Sequence, residues 1–491
     1  PMTHPRGKGV RGTGNPFAAR KRIYATSQAR QLLLPKIPMA FGEPHAESLR
    51  ETPKRPDVLG PLFADDCPVV CDSSLDNFVS AVNKRANHLD KSRVEDEIME
   101  AALSLLNEKV PKRLSEIDWD KELFDEWNKR NPPEKQKRME EATQNFDRFS
   151  AKEFGRKDIF TKLNEALLKR HEHPLDAKFT GWAGRLVNSS TDLHNALSGP
   201  ILTECLSRLN AIFDNDGQAG PIRMALAYKA TTKKVTHFLG DLKAKAIFEA
   251  DFSSNDKLQV YDAHIVEGLF LHRLGAPMWL VDIMHDANDY LVQNRKHGFK
   301  AKVSNQLPSG STSTTFRNCV WNATIFTAWA KRYKVQGKAM FLGDDMISVV
   351  TDSPLPMTRR NRKRLSRGYE EIARRARMKA KVKAHTHLVD AEFLSKCFVP
   401  SNGTHLLIPK LGKSFAKFYV RANNNVNVSD EEYIAGKALS YSWEFRHLPP
   451  VRERMMDLFL STKVEITKLS PDLLGWNFKT RVQDHGWSKA L

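Results

Sequence analysis

Residues 338–350 read Lys-Ala-Met-Phe-Leu-Gly-Asp-Asp-Met-Ile-Ser-Val-Val, two short apolar runs that meet at Gly343-Asp344-Asp345. Each run has the length and apolar content of a strand, and the glycine between them supplies a tight turn. The stretch therefore predicts a β-hairpin whose tip projects two adjacent carboxylates. Gly-Asp is also ordinary turn chemistry, so a plain hairpin makes the same pattern and the carboxylates gain meaning only from their surroundings.

Upstream, Asp251-Phe252-Ser253-Ser254-Asn255-Asp256 follows the strand-like Ala246-Ile247-Phe248. A carboxylate at a strand's end can face a cleft and offer the hard, anionic oxygen that Mg²⁺ requires. Between the two acidic segments lies Ser309-Gly310-Ser311-Thr312-Ser313-Thr314-Thr315-Phe316-Arg317-Asn318, a hydroxyl-rich loop running into a helix. Its Ser and Thr can simply cap that helix. Thr314 and Asn318, one helical turn apart, can equally present hydroxyl and amide groups to a ribose. Across about 240–420, short apolar strand candidates alternate with longer helical patterns such as LQVYDAHIVEGLFLHRL and TFRNCVWNATIFTAWAKRY, which predicts an α+β core.

The three segments, D-x4-D, SG-x3-T-x3-N and GDD, resemble motifs A, B and C of the RNA-dependent RNA polymerases of RNA viruses, in that family's unpermuted order. At average composition the middle pattern alone arises in fewer than about one random chain in a hundred, so the joint match carries the reading. The likeness covers roughly residues 160–415 and is strongest over 246–350. It points to positive-strand viruses of the alphavirus-like and related groups, although double-stranded RNA viruses share much of it.

The resemblance implies a right-hand polymerase with fingers, palm and thumb, the palm built on an antiparallel sheet. It also implies nucleotidyl transfer with two Mg²⁺ ions, Mn²⁺ being the substitute, and metal positions at Asp251, Phe252, Asp344 and Asp345. Asp256, Ser309, Gly310, Thr314 and Asn318 would meet the nucleotide, with Asp256 and Asn318 reading the ribose 2′-hydroxyl. Clustered carboxylates suit this reaction, because two cations a few ångströms apart activate the 3′-hydroxyl and neutralise the leaving pyrophosphate. Asn255 departs from the family, which often has an aromatic residue before the second Asp.

Further from the centre, Lys162, Lys169, Arg170, Lys178 and Gly184-Arg185-Leu186-Val187 resemble the basic motif F that binds the triphosphate. Arg185 is the strongest candidate, since a guanidinium holds phosphate oxygens bidentately; solvated lysines on a helix face are the alternative for the rest. The basic stretch from Arg359 to Lys383 takes the place of motif D. Lys383 is its candidate general acid, with Lys381 and Lys379 as rivals. Phe393-Leu394-Ser395-Lys396-Cys397-Phe398 resembles motif E, and Lys396, Cys397, Lys410 and Lys413 are candidate RNA contacts.

The rest of the chain of 491 residues sets bounds. With 77 Lys+Arg against 58 Asp+Glu, the formal charge of +19 suits a protein that meets polyphosphate. Five scattered cysteines, Cys67, Cys71, Cys205, Cys319 and Cys397, argue against a secreted disulfide framework. Cys67 and Cys71 lack a second pair to complete a zinc site. Gly412-Lys413-Ser414 is not a P-loop, because Leu407 stands where that pattern needs glycine. His171, His173, His385 and His387 have no completing ligand set. No stretch approaches a membrane span, and Pro1 fits release from a longer polyprotein or trimming.

The expected organisation is a basic arm or strap at 1–30, an N-terminal extension and fingers over 31–240, a palm over 241–390 with a fingers insertion at about 262–300, and a palm–thumb hairpin with a helical thumb over 391–491. A helical run is expected from about 75 to 170. Expected partners are RNA template and product, ribonucleoside triphosphates, and replicase, capsid or host proteins, in the host cytoplasm within a replication complex or virion. Two alternatives are an RNA-binding nucleoprotein, which explains the charge but not the ordered carboxylates, and a reverse transcriptase, which lacks need of a 2′-hydroxyl reader.

Overall fold

The structure, a computed structural model, describes residues 35–42, 57–60, 74–86, 90, 92–144, 164–168, 184–213, 222–240, 243–259, 261–421, 428–475, 478–479, 481–482 and 486–490. The arm at 1–30, Cys67, Cys71, Lys162, Lys169, Arg170, His171, His173 and Lys178 lie outside these residues.

The hairpin expected at 338–350 forms. Gln336–Leu342 and Asp345–Asp352 pair antiparallel with Leu342 opposite Asp345, leaving Gly343 and Asp344 as a two-residue turn. Gly343 has φ of +60°, which a II′ turn requires of its first central residue and which strains any residue with a Cβ. Ala246–Phe252 pairs antiparallel along the other edge of Asp345–Asp352, and Ala380–His385 adds beyond it. On the far side Ile222–Leu226 runs parallel to Gln336–Leu342. The fold is thus α+β, and this sheet is mixed: its other pairings are antiparallel, as expected, and one edge is parallel. A parallel neighbour needs a long crossover connection, so no local turn signal announces it.

Alternation divides Ala246–Phe252 between two faces. Phe248, Ala250 and Phe252 pack with Phe326 and Trp329 of the Thr314–Tyr333 helix and with Leu365, Tyr369 and Ile372 of the Arg359–Arg375 helix. Trp329 sits edge-on to both Phe248 and Tyr369 at 5.4 and 5.6 Å. Ile247 lies in a separate cluster with Val349, Phe393, Phe398 and Leu407. Asp251 shares the Ile247 face by the same alternation. The carboxylates therefore lie on the side of the three-stranded sheet Glu392–Phe393, Lys396–Ser401, Thr404–Pro409, and the two helices cover the opposite side.

The helices expected early in the chain are present, but they serve two cores. Phe78, Val79 and Val82 of Leu75–Arg85 pack with Leu186, Val292 and Phe299. These residues belong to a second sheet, ordered Met39–Phe41, Phe299–Val303, Tyr290–Asn294, Asn164–Leu168, Leu186–Ser189. Ile98, Ala101, Ala102 and Leu105 of Asp96–Lys109 instead join Phe248 and Trp329 in the core of the first sheet. The helical run does not reach 170: Asn164–Leu168 is a strand held between Tyr290–Asn294 and Leu186–Ser189, where ladder pairing with distant segments overrides local pattern.

Near the C-terminus, Asp430–Glu444 begins with a capping box between Ser429 and Glu432. It packs with Pro449–Ser461 around Phe418, Leu439, Met455 and Phe459. Lys437 donates from Nζ to the carbonyls of Lys417, Phe418 and Val420 at 2.8, 2.7 and 2.9 Å, tying this helix to the segment entering it. Among the described residues no helix is long and apolar enough to cross a membrane.

Candidate active site

Met346 pairs with Ala250, so one further step of the register sets Asp345 across from Asp251. From the other side Lys381 pairs with Asp251, and Lys383 with Glu249. Asp344 occupies the turn. A cleft of about 610 Å³ gathers Asp251, Phe252, Asp256, Gly343 and Asp344 with Ser309, Thr314 and Asn318 and with the cations Lys84, Arg85 and Arg185. Segments that the sequence spreads over some 260 positions thus meet in one cavity.

The electrostatics reflect crowded negative charge. Burial, then Asp344 and Asp251, push the Asp345 carboxyl up to about 6. Asp251 is raised by burial and by Asp344, against the opposing pull of Lys383 and Lys381. Asp256 is raised by burial and Asp344, while a hydrogen bond from Asn318 and the charges of Arg85 and Arg185 act the other way. Like charges held this close favour a proton or a cation between them.

The Thr314–Tyr333 helix supports both carboxylate segments. Asn318 bonds Asp256, and its Oδ1 accepts from Gln259 Nε2 at 2.7 Å, which fixes the amide so that its NH₂ faces the carboxylate. One turn on, Asn322 donates to the Asp344 carbonyl at 3.2 Å, and the Gly343 N–H donates to Cys319 Sγ at 3.2 Å. The preceding loop is pinned as well: Ser309 Oγ donates to the Leu186 carbonyl at 2.6 Å. Gly310 bridges Ser189, and a Cβ there would fall 2.0 Å from the Asn188 carbonyl oxygen, so only glycine permits this approach. Asn255, the departure noted in the sequence, is buried at the start of the short Asn255–Leu258 helix.

Lys84 and Arg85 escaped the sequence reading. They end the Leu75–Arg85 helix, and two long-range hydrogen bonds dock that end: Gln306 donates to the Arg85 carbonyl at 2.7 Å, and Lys257 donates to the Asn83 carbonyl at 3.3 Å. Cys319, Asn322 and Gln259 were also missed; the polar stripe Thr314, Asn318, Asn322 at four-residue spacing was the available signal.

Lys383 lies 2.7 Å from Glu249 Oε1, and that hydrogen bond raises its pKa. The same carboxylate is 3.4 Å from His385 Nε2 and accepts from the Glu392 N–H at 2.6 Å. Lys410 pairs with Glu392, Lys413 donates to Ser395 Oγ at 3.2 Å, and Lys396 and Cys397 sit on the adjoining strand, opposite Pro409 and Ile408. The charge of Lys413 also opposes the rise of the Asp345 carboxyl.

Among the described residues no three His, Cys, Asp or Glu side chains form a preformed metal cage. The donor chemistry nevertheless suits a hard divalent ion: Asp251 and Asp344 repel each other and line a cleft that has room for further oxygen ligands. No curated protein matches the chain. A family model described as RNA dependent RNA polymerase matches residues 48–446.

Proposed function

The chain belongs to the viral RNA-dependent RNA polymerase family, and from that premise we propose that it copies RNA from ribonucleoside triphosphates in the cleft between Asp251, Asp344 and Arg185. One observation carries the assignment of the site: Asp251, Asp256, Asn318 and Asp344, from three separate segments, line a single cavity together with three cations.

In this reading Arg185, Lys84 and Arg85 bind the triphosphate, together with Lys162 and Lys178. Asp256 accepts from the ribose 2′-hydroxyl and Asn318, oriented by Gln259, holds that carboxylate in place. Ser309, Gly310 and Thr314 shape the sugar's floor. Asp251, Asp344, Asp345 and the Phe252 carbonyl would hold two Mg²⁺ ions, whose chemistry there would be to lower the pKa of the 3′-hydroxyl and offset charge on the leaving group. Lys383, kept protonated by Glu249, supplies a proton to pyrophosphate; Lys381, opposite Asp251, is its rival. Lys396, Cys397, Lys410 and Lys413 support the growing strand. The mixed sheet is the palm of a right hand, the second sheet with the Leu75–Arg85 helix belongs to its fingers, and the helices after 429 form its thumb. RNA and ribonucleotides are its substrates, and the host cytoplasm its setting.

Labelled ribonucleotide incorporation on a short RNA template with Mg²⁺ tests this. The natural chain extends RNA, and Asp344→Ala abolishes extension while RNA binding persists; synthesis retained by the variant overturns the metal assignment. Equal use of deoxyribonucleotides overturns the 2′-hydroxyl role of Asp256 and Asn318.

A further inference from the structure

The Arg359–Arg375 helix divides into halves of opposite electrostatic character. In its C-terminal half the cations are paired: Arg374 with Glu371 at 2.6 Å, and Arg375 with Glu95, Glu97 and Glu371 at 3.0–3.3 Å. In its N-terminal half Arg359, Arg360, Lys363, Arg364 and Arg367 are all exposed, and none has a carboxylate partner among the described residues. The first turn holds no acidic residue, so Arg359 and Arg360 sit at the positive end of the helix dipole, where cations are disfavoured. Arg359–Lys363, Arg360–Arg364 and Lys363–Arg367 add like-charge pairs at four-residue spacing. A fold stabilised for its own sake would not concentrate positive charge this way.

We propose that this half-helix is a docking surface for an RNA strand outside the catalytic cleft. Its inner residues Leu365, Tyr369 and Ile372 pack against Phe248 and Trp329, on the sheet face opposite the one that carries Asp251. RNA seated in the cleft therefore does not neutralise it. Four of the five cations are arginines, which hold phosphate oxygens in bidentate fashion. Arg359, Lys363 and Arg367 form a row rising about 6 Å per step, comparable to the spacing of successive phosphates along a strand. An anionic bilayer is the weaker fit, because a membrane-surface helix inserts an apolar face and the apolar face of this helix is already buried in the core. The identity of the polyanion rests on the polymerase reading; the charge pattern does not.

The test compares the full chain with the quadruple variant Arg360→Gln, Lys363→Gln, Arg364→Gln, Arg367→Gln. Binding is measured by fluorescence anisotropy against a long single-stranded RNA and against an oligonucleotide just filling the cleft, and by flotation with phosphatidylserine vesicles. The expected result is at least about tenfold weaker binding of the long RNA and a salt slope shallower by about 2–3, at about 0.7 for each phosphate no longer engaged. Short-oligonucleotide binding and extension of a short template stay unchanged. The melting temperature stays level or rises, since repulsion is removed. If the variant melts early, the charge-retaining set Arg360→Lys, Arg364→Lys, Arg367→Lys, expected to keep most long-RNA affinity, replaces it as the comparison. Unchanged long-RNA binding overturns the proposal, as does an equal loss in Arg374→Gln, or a loss confined to phosphatidylserine vesicles. Failure of the natural chain to extend the short template would instead count against the polymerase reading alone.

Discussion

Asp345 is ordinary in the unfolded chain, near 3.8, and is pushed up to about 6 in the folded one by burial and then by Asp344 and Asp251. Between those values the unfolded chain has released the proton and the folded chain has kept it. Stability therefore falls as pH rises through the window, and the full penalty stands above about pH 6. In chelator, Asp345→Asn should stabilise the protein at pH 7.5 by about 1–2 kcal/mol after allowance for solvent screening. That gain should fade toward pH 4; thermal melts across this range check it, and a gain independent of pH would refute the coupling. Mg²⁺ should raise the melting temperature of the natural chain more than that of the variant. Asp251, Asp256, Ser309, Asn318 and Asp344 could be singled out in the sequence by their fixed local spacings, and the fold brings them to one cleft. Lys84 and Arg85 were not, because basic residues ending a helix are what the helix dipole favours anyway; only the docking by Gln306 and Lys257 sets them in the cleft.

The Thr314–Tyr333 helix props the carboxylate turn from beneath. Asn322→Ala removes the hydrogen bond that its amide donates to the Asp344 carbonyl, so it should cost about 1–2 kcal/mol of stability and slow nucleotide incorporation about tenfold, with binding of RNA unchanged. Undiminished incorporation would show that the turn needs no such support. Near its start the helix buries Arg317, which donates to Glu267 and, at 2.8 Å, to Asn288. Glu267→Gln leaves that guanidinium buried without its counter-charge, and denaturant unfolding should register a loss of about 3–5 kcal/mol. The helix itself was readable from its length and its hydroxyl-rich entry. The ion pair was not: Glu267 and Arg317 each look like solvated helix charges until the Tyr261–Arg273 helix is laid against this one.

For the whole molecule, a charge of +19 and the cations lining the cleft predict that RNA affinity falls steeply with salt. Four or more engaged phosphates give a slope of about −3 or steeper in log–log form, and a flat titration would deny a charged channel. The α+β class and the central hairpin could be read from alternating apolar patterns. The strand order could not, since Ile222–Leu226 finds its place only beside Gln336–Leu342, and pairing between remote segments leaves no local trace. The same remoteness governs how the chain must be made. Met39 pairs with Ala301 and Ile222 with Gly337, so neither sheet can close while its later strands are still on the ribosome. At about 5–20 residues per second the early apolar segments wait on the order of tens of seconds. Chains stalled short of residue 299 should therefore be rapidly digested by protease and engaged by chaperones. Those that have emerged past 385 should resist, with the protected state appearing late and in one step.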